Sequence, residues 1–156
     1  MSVIESLRKN KNDRGILANL RCVLIENKRH RAYPALHRLG VDITDLVSAH
    51  IAGLYATHPE ETSTGNIGNT CKAIEKADGK SRDEKLSPTE RKFQYLLSAS
   101  RDEIFDRITR VILMAKSQGI PVNYGQLEKD LRFWSERTKT EWASEFWSKA
   151  TGGAAA

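Results

Sequence analysis

Apolar residues in this chain recur at steps of three and four, and nowhere do Val, Ile and Thr alternate with polar residues over the length of a strand. That periodicity admits helices and little else, so the expected fold class is all-α. The signal is plainest in the second half. "SPTE" at 87–90 sets a capping serine before a proline and a glutamate, and "SRDE" at 100–103 repeats the serine-to-glutamate spacing. In such a capping box the serine hydroxyl takes an orphan backbone N–H at the helix start, and the glutamate reaches back to the serine N–H. Phe93, Leu96 and Leu97 follow the first box. Ile104, Phe105, Ile108, Val111, Ile112 and Ala115 follow the second, in a helix that Gly119 and Pro121 end. Asn123 then caps a helix holding Leu127, Leu131 and Trp134, and "TKTE" at 138–141 opens a last one with Trp142, Phe146 and Trp147. These tryptophans are expected to lock the terminal helices onto the core rather than to stack on bases.

In the first half, Asp13 caps a helix expected to run to about Asn27, with Ile16, Leu17, Leu20, Val23 and Leu24 inside an arc of about 120°. Arg14, Arg21 and Lys28, seven residues apart, line one border of that arc as a basic rail. Pro34 starts a short helix through Leu39 that Gly40 ends in a left-handed cap. Asp42 or Thr44 caps the next, whose stripe is Ile43, Leu46, Val47, His50, Ile51 and Leu54, and His58-Pro59 stops it. Residues 58–86 are polar and glycine-bearing and predict a connection, with at most a short helix near Thr70 to Ala77. The expected organisation is an N-terminal helical lobe at 1–58, a connecting loop at 59–86, a C-terminal helical lobe at 87–150 and a Gly/Ala tail at 151–156.

Charge is unevenly placed. The chain carries 25 Lys and Arg against 20 Asp and Glu, but residues 1–40 alone hold nine cations and three acids. The excess is local, which points to a polyanion partner. "ENKRHRAYPALHRLG" at 26–40 is the densest part, with Lys28, Arg29, Arg31 and Arg38 around two histidines. A membrane surface is the competing polyanion, but the opening "MSVIESLRKNKN" does not make a signal peptide and the longest apolar runs fall short of a span. A soluble, cytoplasmic protein with no membrane partner is expected. Cys22 and Cys71 suit a reducing compartment and predict no structural disulfide. Four scattered histidines offer no zinc spacing, no Gly-rich phosphate loop follows a strand, and no nucleophile and base recur at a recognisable spacing. No enzyme activity, metal or cofactor is expected.

The segments "RGILANLRC" at 14–22, "YPALHRLG" at 33–40, "TERKFQYLL" at 89–97 and "VNYGQLEKDLRFW" leading to "EWASEFW" at 122–147 resemble the CasB family. The most specific part is Tyr124, Leu127, Asp130, Leu131 and Trp134 in their spacing, followed by Trp142-Ala143 and Phe146-Trp147. CasB is the small subunit of Cascade, the type I-E CRISPR surveillance complex. The resemblance implies an all-helical, non-catalytic subunit, present with a second copy of itself. It would contact the backbone-forming and large subunits, the crRNA–target DNA hybrid and displaced single-stranded DNA. Carried over residue by residue, it maps Arg14 and Arg21, then Arg91 and Lys92, then Arg101 and Arg110. Cys22 departs from it, standing where a second basic residue is common. With the local charge, the candidate nucleic-acid-binding residues are Arg14, Arg21, Lys28, Arg29, Arg31, Arg38, Arg91, Lys92, Arg101, Arg107 and Arg110. Arg107 and Arg110 share a helix with Asp102, Glu103 and Asp106, so surface pairing competes there.

Two alternatives keep parts of this pattern. A structural adaptor would use the apolar stripes and tryptophans to recruit proteins, with charge serving solubility. A free-standing regulator would read DNA through a helix-turn-helix at "LHRLGVDITDLVSAHIAG", 36–53, although Asp42 and Asp45 would meet phosphate repulsively.

Overall fold

A helix that is apolar on every side has to be wrapped by others, and α4 (Leu46–Thr57) is that helix: Val47 through Ala56 are all buried. The structure is a computed structural model describing residues 2–79 and 86–148. The Gly/Ala tail and residues 80–85 of the expected connection lie outside them. The chain order is α1 (Val3–Lys9), α2 (Arg14–Arg21), two 3-10 segments (Cys22–Leu24 and Glu26–Ala32), α3 (Tyr33–Arg38), α4, α5 (Ile67–Ala77), α6 (Pro88–Leu97), α7 (Ile104–Gln118), α8 (Tyr124–Arg132) and α9 (Glu136–Phe146). Among the described residues there is no strand; one isolated bridge pairs Glu61 with Val122.

The fold is all-α. Helices α1, α2, α7 and α8 and the segment Cys22–Leu24 pack around α4. A single buried cluster runs from Ile4 to Phe146. Helix α2 crosses α4 closely at Gly53, where a Cβ would stand 3.2 Å from the Leu20 carbonyl oxygen. On the other side α5 lies against α9, α7 and α6.

Several local expectations change. Ser2 and Glu5 form a complete capping box that opens α1, an unexpected helix whose Ile4 and Leu7 are buried. Helix α2, capped by Asp13 as expected, stops at Arg21, and Ile25 is extended. The physical cause is Arg29, whose Nε donates to the Val23 carbonyl at 2.7 Å. A continuing helix would need that carbonyl for Asn27. Lys28 therefore leaves the Arg14–Arg21 line. Asp45, not Asp42 or Thr44, caps α4 by accepting from the Ser48 N–H, and Ile43 and Leu46 at the start of the expected stripe are exposed.

Helix α5 begins at Ile67, three residues before Thr70, behind a box made of two asparagines, Asn66 and Asn69. It buries Ile67, Cys71 and Ile74. The box at Ser87 and Glu90 is complete, whereas at 100–103 only the glutamate half forms, Glu103 accepting from the Ser100 N–H. Gly119 ends α7 at φ +68° and Asn123 caps α8, both as expected. Helix α9 starts at Ser135, before "TKTE".

The tryptophans serve packing. Trp134 and Trp142 are buried with ring centroids 4.9 Å apart, and their indole N–H groups donate to the Ala99 carbonyl and the Asp130 carboxylate. Trp147 is half exposed; it packs edge-on against Phe93 and donates to Glu90 at 3.0 Å, tying the end of α9 to α6.

Candidate nucleic-acid interface

The N-terminal cations sit on one run of packed elements. Arg14 and Arg21 are exposed on α2, seven residues apart and so on one face. Lys28, Arg29 and Arg31 lie on the 3-10 segment Glu26–Ala32, and Arg38 ends α3; both elements pack against α2. Apolar contacts from Leu17, Leu20, Val23, Ala32 and Leu36, all buried, hold this layer to the core and leave its cations outside. The charges of Arg29 and of Asp106 on α7 are both felt at the buried His50 imidazole, which places the start of α7 beside the same layer. His50 stacks at 4.3 Å on Phe105 and its Nδ1–H donates to the Leu46 carbonyl; burial lowers its pKa. Its position is that of a neutral core histidine.

Helices α6 and α7 bring three downstream candidates together. Lys92, Arg107 and Arg110 rim a groove of about 250 Å3 floored by Leu96, Val111 and Met114 and walled by Tyr95. Arg107 is held in place there: Nη1 donates to the Tyr95 carbonyl at 2.7 Å and to Ser98 Oγ at 2.8 Å, Nη2 pairs with Glu103, and the guanidinium lies 3.8 Å from the Tyr95 ring centroid. The Lys92 ammonium reaches toward the Met114 sulfur at 3.8 Å. Arg91 and Arg101 are exposed but do not line this groove.

Pairing sorts the cations further. Arg8 makes a two-point contact with Glu61, at 2.9 and 3.0 Å. Arg132 donates to Asp45, Glu128 and Ser48, clamping α8 to the start of α4. Arg137 and Lys139 pair along α9. None of these was a candidate. Among the described residues, Arg107 is the one candidate with a carboxylate partner. Arg21 and Arg29 spend one donor each on backbone carbonyls of Ala56 and Val23. Arg14, Lys28, Arg31, Arg38, Arg91, Arg101 and Arg110 donate to no described residue.

Sequence reasoning missed Lys9. It shares a cleft with Arg38, Asn10 and Gly40 where the ends of α1 and α3 meet, and only the unrecognised α1 capping box could have pointed to it. The largest cleft, about 760 Å3, is polar and lined by Asn66, Asn69, Glu141 and Glu145, away from the candidate cations. Cys71 is fully buried, its thiol pushed up to about 12 by burial. No cluster of three metal-ligating side chains occurs, and no helix is long and apolar enough to cross a membrane, among the described residues.

An all-helical module with carboxylate-free cations gathered on its N-terminal layer and along one groove is the class these features define. Residues 17–147 match the family model of the CRISPR-associated protein Cse2, and the chain belongs to that family, the CasB family of the sequence resemblance. CasB from Thermus thermophilus superposes with a TM-score of 0.74 at 18% identity, over 94% of this chain and 96% of that one. A second CRISPR-associated protein of the Cse2 family from Thermus thermophilus gives 0.73 at 19%, over 94% of each chain. M. ruber CasB gives 0.69 at 19%, over 93% of this chain and 90% of that one. No curated protein sequence matches. The fold is therefore that of the CasB structures.

Proposed function

We propose that this protein is the non-catalytic small subunit of a crRNA-guided type I-E Cascade complex, where it stabilises opened DNA through backbone phosphates of the displaced and target strands. In such assemblies guide pairing reads sequence, and protein cations hold strands without base preference. The observation that carries the reading is the division of labour among cations. Arginines that fasten helices, such as Arg8 and Arg132, are matched to carboxylates, while the N-terminal set is left without them. An exposed cation without a carboxylate neighbour contributes little to stability and is available to phosphate.

Protein contact is a second role within the same reading. Phe133 is 69% exposed and Leu46 53%, on elements joined by the Arg132–Asp45 pair. Apolar side chains so exposed suit a neighbouring subunit or a second copy of this chain. The helix-turn-helix alternative has no support in α4, whose ten consecutive buried residues leave no face to enter a DNA groove. The test is co-expression with a guide RNA and the other Cascade subunits, read by native mass spectrometry. The chain is expected within the particle, and an assembled particle that consistently lacks it would refute the assignment.

A further inference from the structure

We propose that the groove between α6 and α7 receives one unstacked base of single-stranded DNA, laid on the Tyr95 ring, with the flanking phosphates at Lys92 and Arg110. This rests on the DNA-binding reading above and extends it from backbone to base.

The groove differs from the N-terminal layer in chemistry. Its floor of Leu96, Val111 and Met114 is apolar, which a chain of phosphates does not need. Tyr95 is 54% exposed, although its ring sits between helices that could have buried it. The ring is also fixed. The Arg107 guanidinium lies against it, and that guanidinium is itself held by the Tyr95 carbonyl, the Ser98 hydroxyl and Glu103. A phosphate-binding arginine would be free to follow its ligand, whereas three intramolecular partners make Arg107 a positioning residue for the aromatic ring. A prearranged aromatic backed by a cation is the platform on which unpaired bases stack, and such stacking tolerates any sequence because every base has a π-face. Lys92 and Arg110 at the rim form no ion pair among the described residues, so they remain for the phosphates on either side of the stacked nucleotide. No carboxylate lines the groove. Cationic rim, apolar floor and fixed ring together match a nucleotide: charge at the edge and a flat apolar ring inside.

The experiment uses the full chain, a fluorescein-labelled oligodeoxythymidine and the same strand with abasic sites, titrated across salt concentrations. Tyr95→Ala is expected to weaken binding of the normal strand roughly tenfold, while leaving the salt slope as in the wild type, because stacking releases no counterions. The abasic strand is expected to bind wild type and Tyr95→Ala equally, and Tyr95→Phe to bind like wild type. Removing Lys92 and Arg110 instead is expected to lower the slope by about 0.7 for each. Circular dichroism of Tyr95→Ala should match the wild type, since the side chain is exposed. Normal-strand binding unchanged in Tyr95→Ala, or a loss that extends equally to the abasic strand, would overturn the base site while leaving phosphate binding intact. A Tyr95→Ala chain that binds DNA normally but drops out of the assembled particle would give the groove to a protein partner and overturn it too. A wild type that binds neither strand at low salt would sink this proposal and the DNA-binding reading together.

Discussion

Replacing Gly68 by alanine is the sharpest test of how the second half of the molecule is held. A Cβ at Gly68 would lie 2.0 Å from the Trp142 carbonyl oxygen and 2.9 Å from its carbon, where real Cβ atoms keep at least 3.0 Å. The obstruction is backbone of α9, so no side chain can swing aside; α5 and α9 must part by about 1 Å. Trp142 is fully buried and donates to Asp130 at 2.8 Å, so that shift loosens the core and strains a buried hydrogen bond. Overpacking of this kind costs about 1–3 kcal/mol and a disturbed buried donor about 1–3 more, against a gain of about 1 kcal/mol in helix propensity. The net is a loss of about 2–4 kcal/mol, or roughly 4–16 °C in melting temperature for a chain of this size. Thermal melts followed by circular dichroism measure it directly. Gly125→Ala in α8 is the matched control, because its nearest neighbour is Asn123 Oδ1 at an ordinary 3.7 Å; it should be neutral or slightly stabilising. A Gly68→Ala protein melting at or above the wild type would refute the argument. Because α9 also carries Trp147 onto Phe93 and Glu90, the same variant should disturb the placement of α6 beside its groove.

Other outcomes follow from caps and buried acids. Asp45→Ala removes the α4 cap and the Arg132 contact and should cost about 1–2 kcal/mol in denaturant unfolding. Burial pushes the Asp45 carboxyl up, but the Ser48 N–H, Arg132 and the Ser48 hydroxyl together hold it below its usual value. Its contribution is therefore present above the unfolded carboxylate value and lost as pH falls through the lower folded one, so the variant's deficit should shrink in acid. Asp130 behaves in the opposite sense. Burial raises its carboxyl despite donors from Trp142 and Gln126, so the native state holds its proton over a window where the unfolded chain has released it. Stability from this group falls as pH rises through that window. Asp130→Asn, which still accepts from Trp142, should flatten that part of the stability–pH profile; an unchanged profile would count against a buried, perturbed Asp130.

Legibility in the sequence followed the range of the interaction. Starts set by a residue and its near neighbours, at Asp13, Ser87 and Asn123, and the left-handed stop at Gly119, could be read directly. The α1 box at Ser2 and Glu5 was equally local but was obscured by a helix with few apolar residues. What could not be read came from distant partners. Arg29 takes a carbonyl six residues back and breaks the expected basic rail, and Gly68, read as part of a polar connection, marks where α9 crosses. Among the candidate residues, exposure was foreseen but pairing was not. Arg107 is consumed by Tyr95, Ser98 and Glu103, and Arg21 holds the Ala56 carbonyl at the end of α4. Arg21 is thus a poorer probe of DNA binding than Arg14, since changing it also disturbs a helix end.

The central claim is that carboxylate-free cations of the N-terminal layer hold nucleic-acid phosphates. The direct measurement is the salt dependence of single-strand binding for the wild type and for a variant with Arg14, Lys28, Arg31 and Arg38 changed to alanine, side chains that make no hydrogen bond or ion pair among the described residues. The account predicts a slope shallower by about 0.7 for each cation that had met a phosphate, with affinity reduced alike for every sequence. Equal slopes and affinities for the two proteins would contradict it.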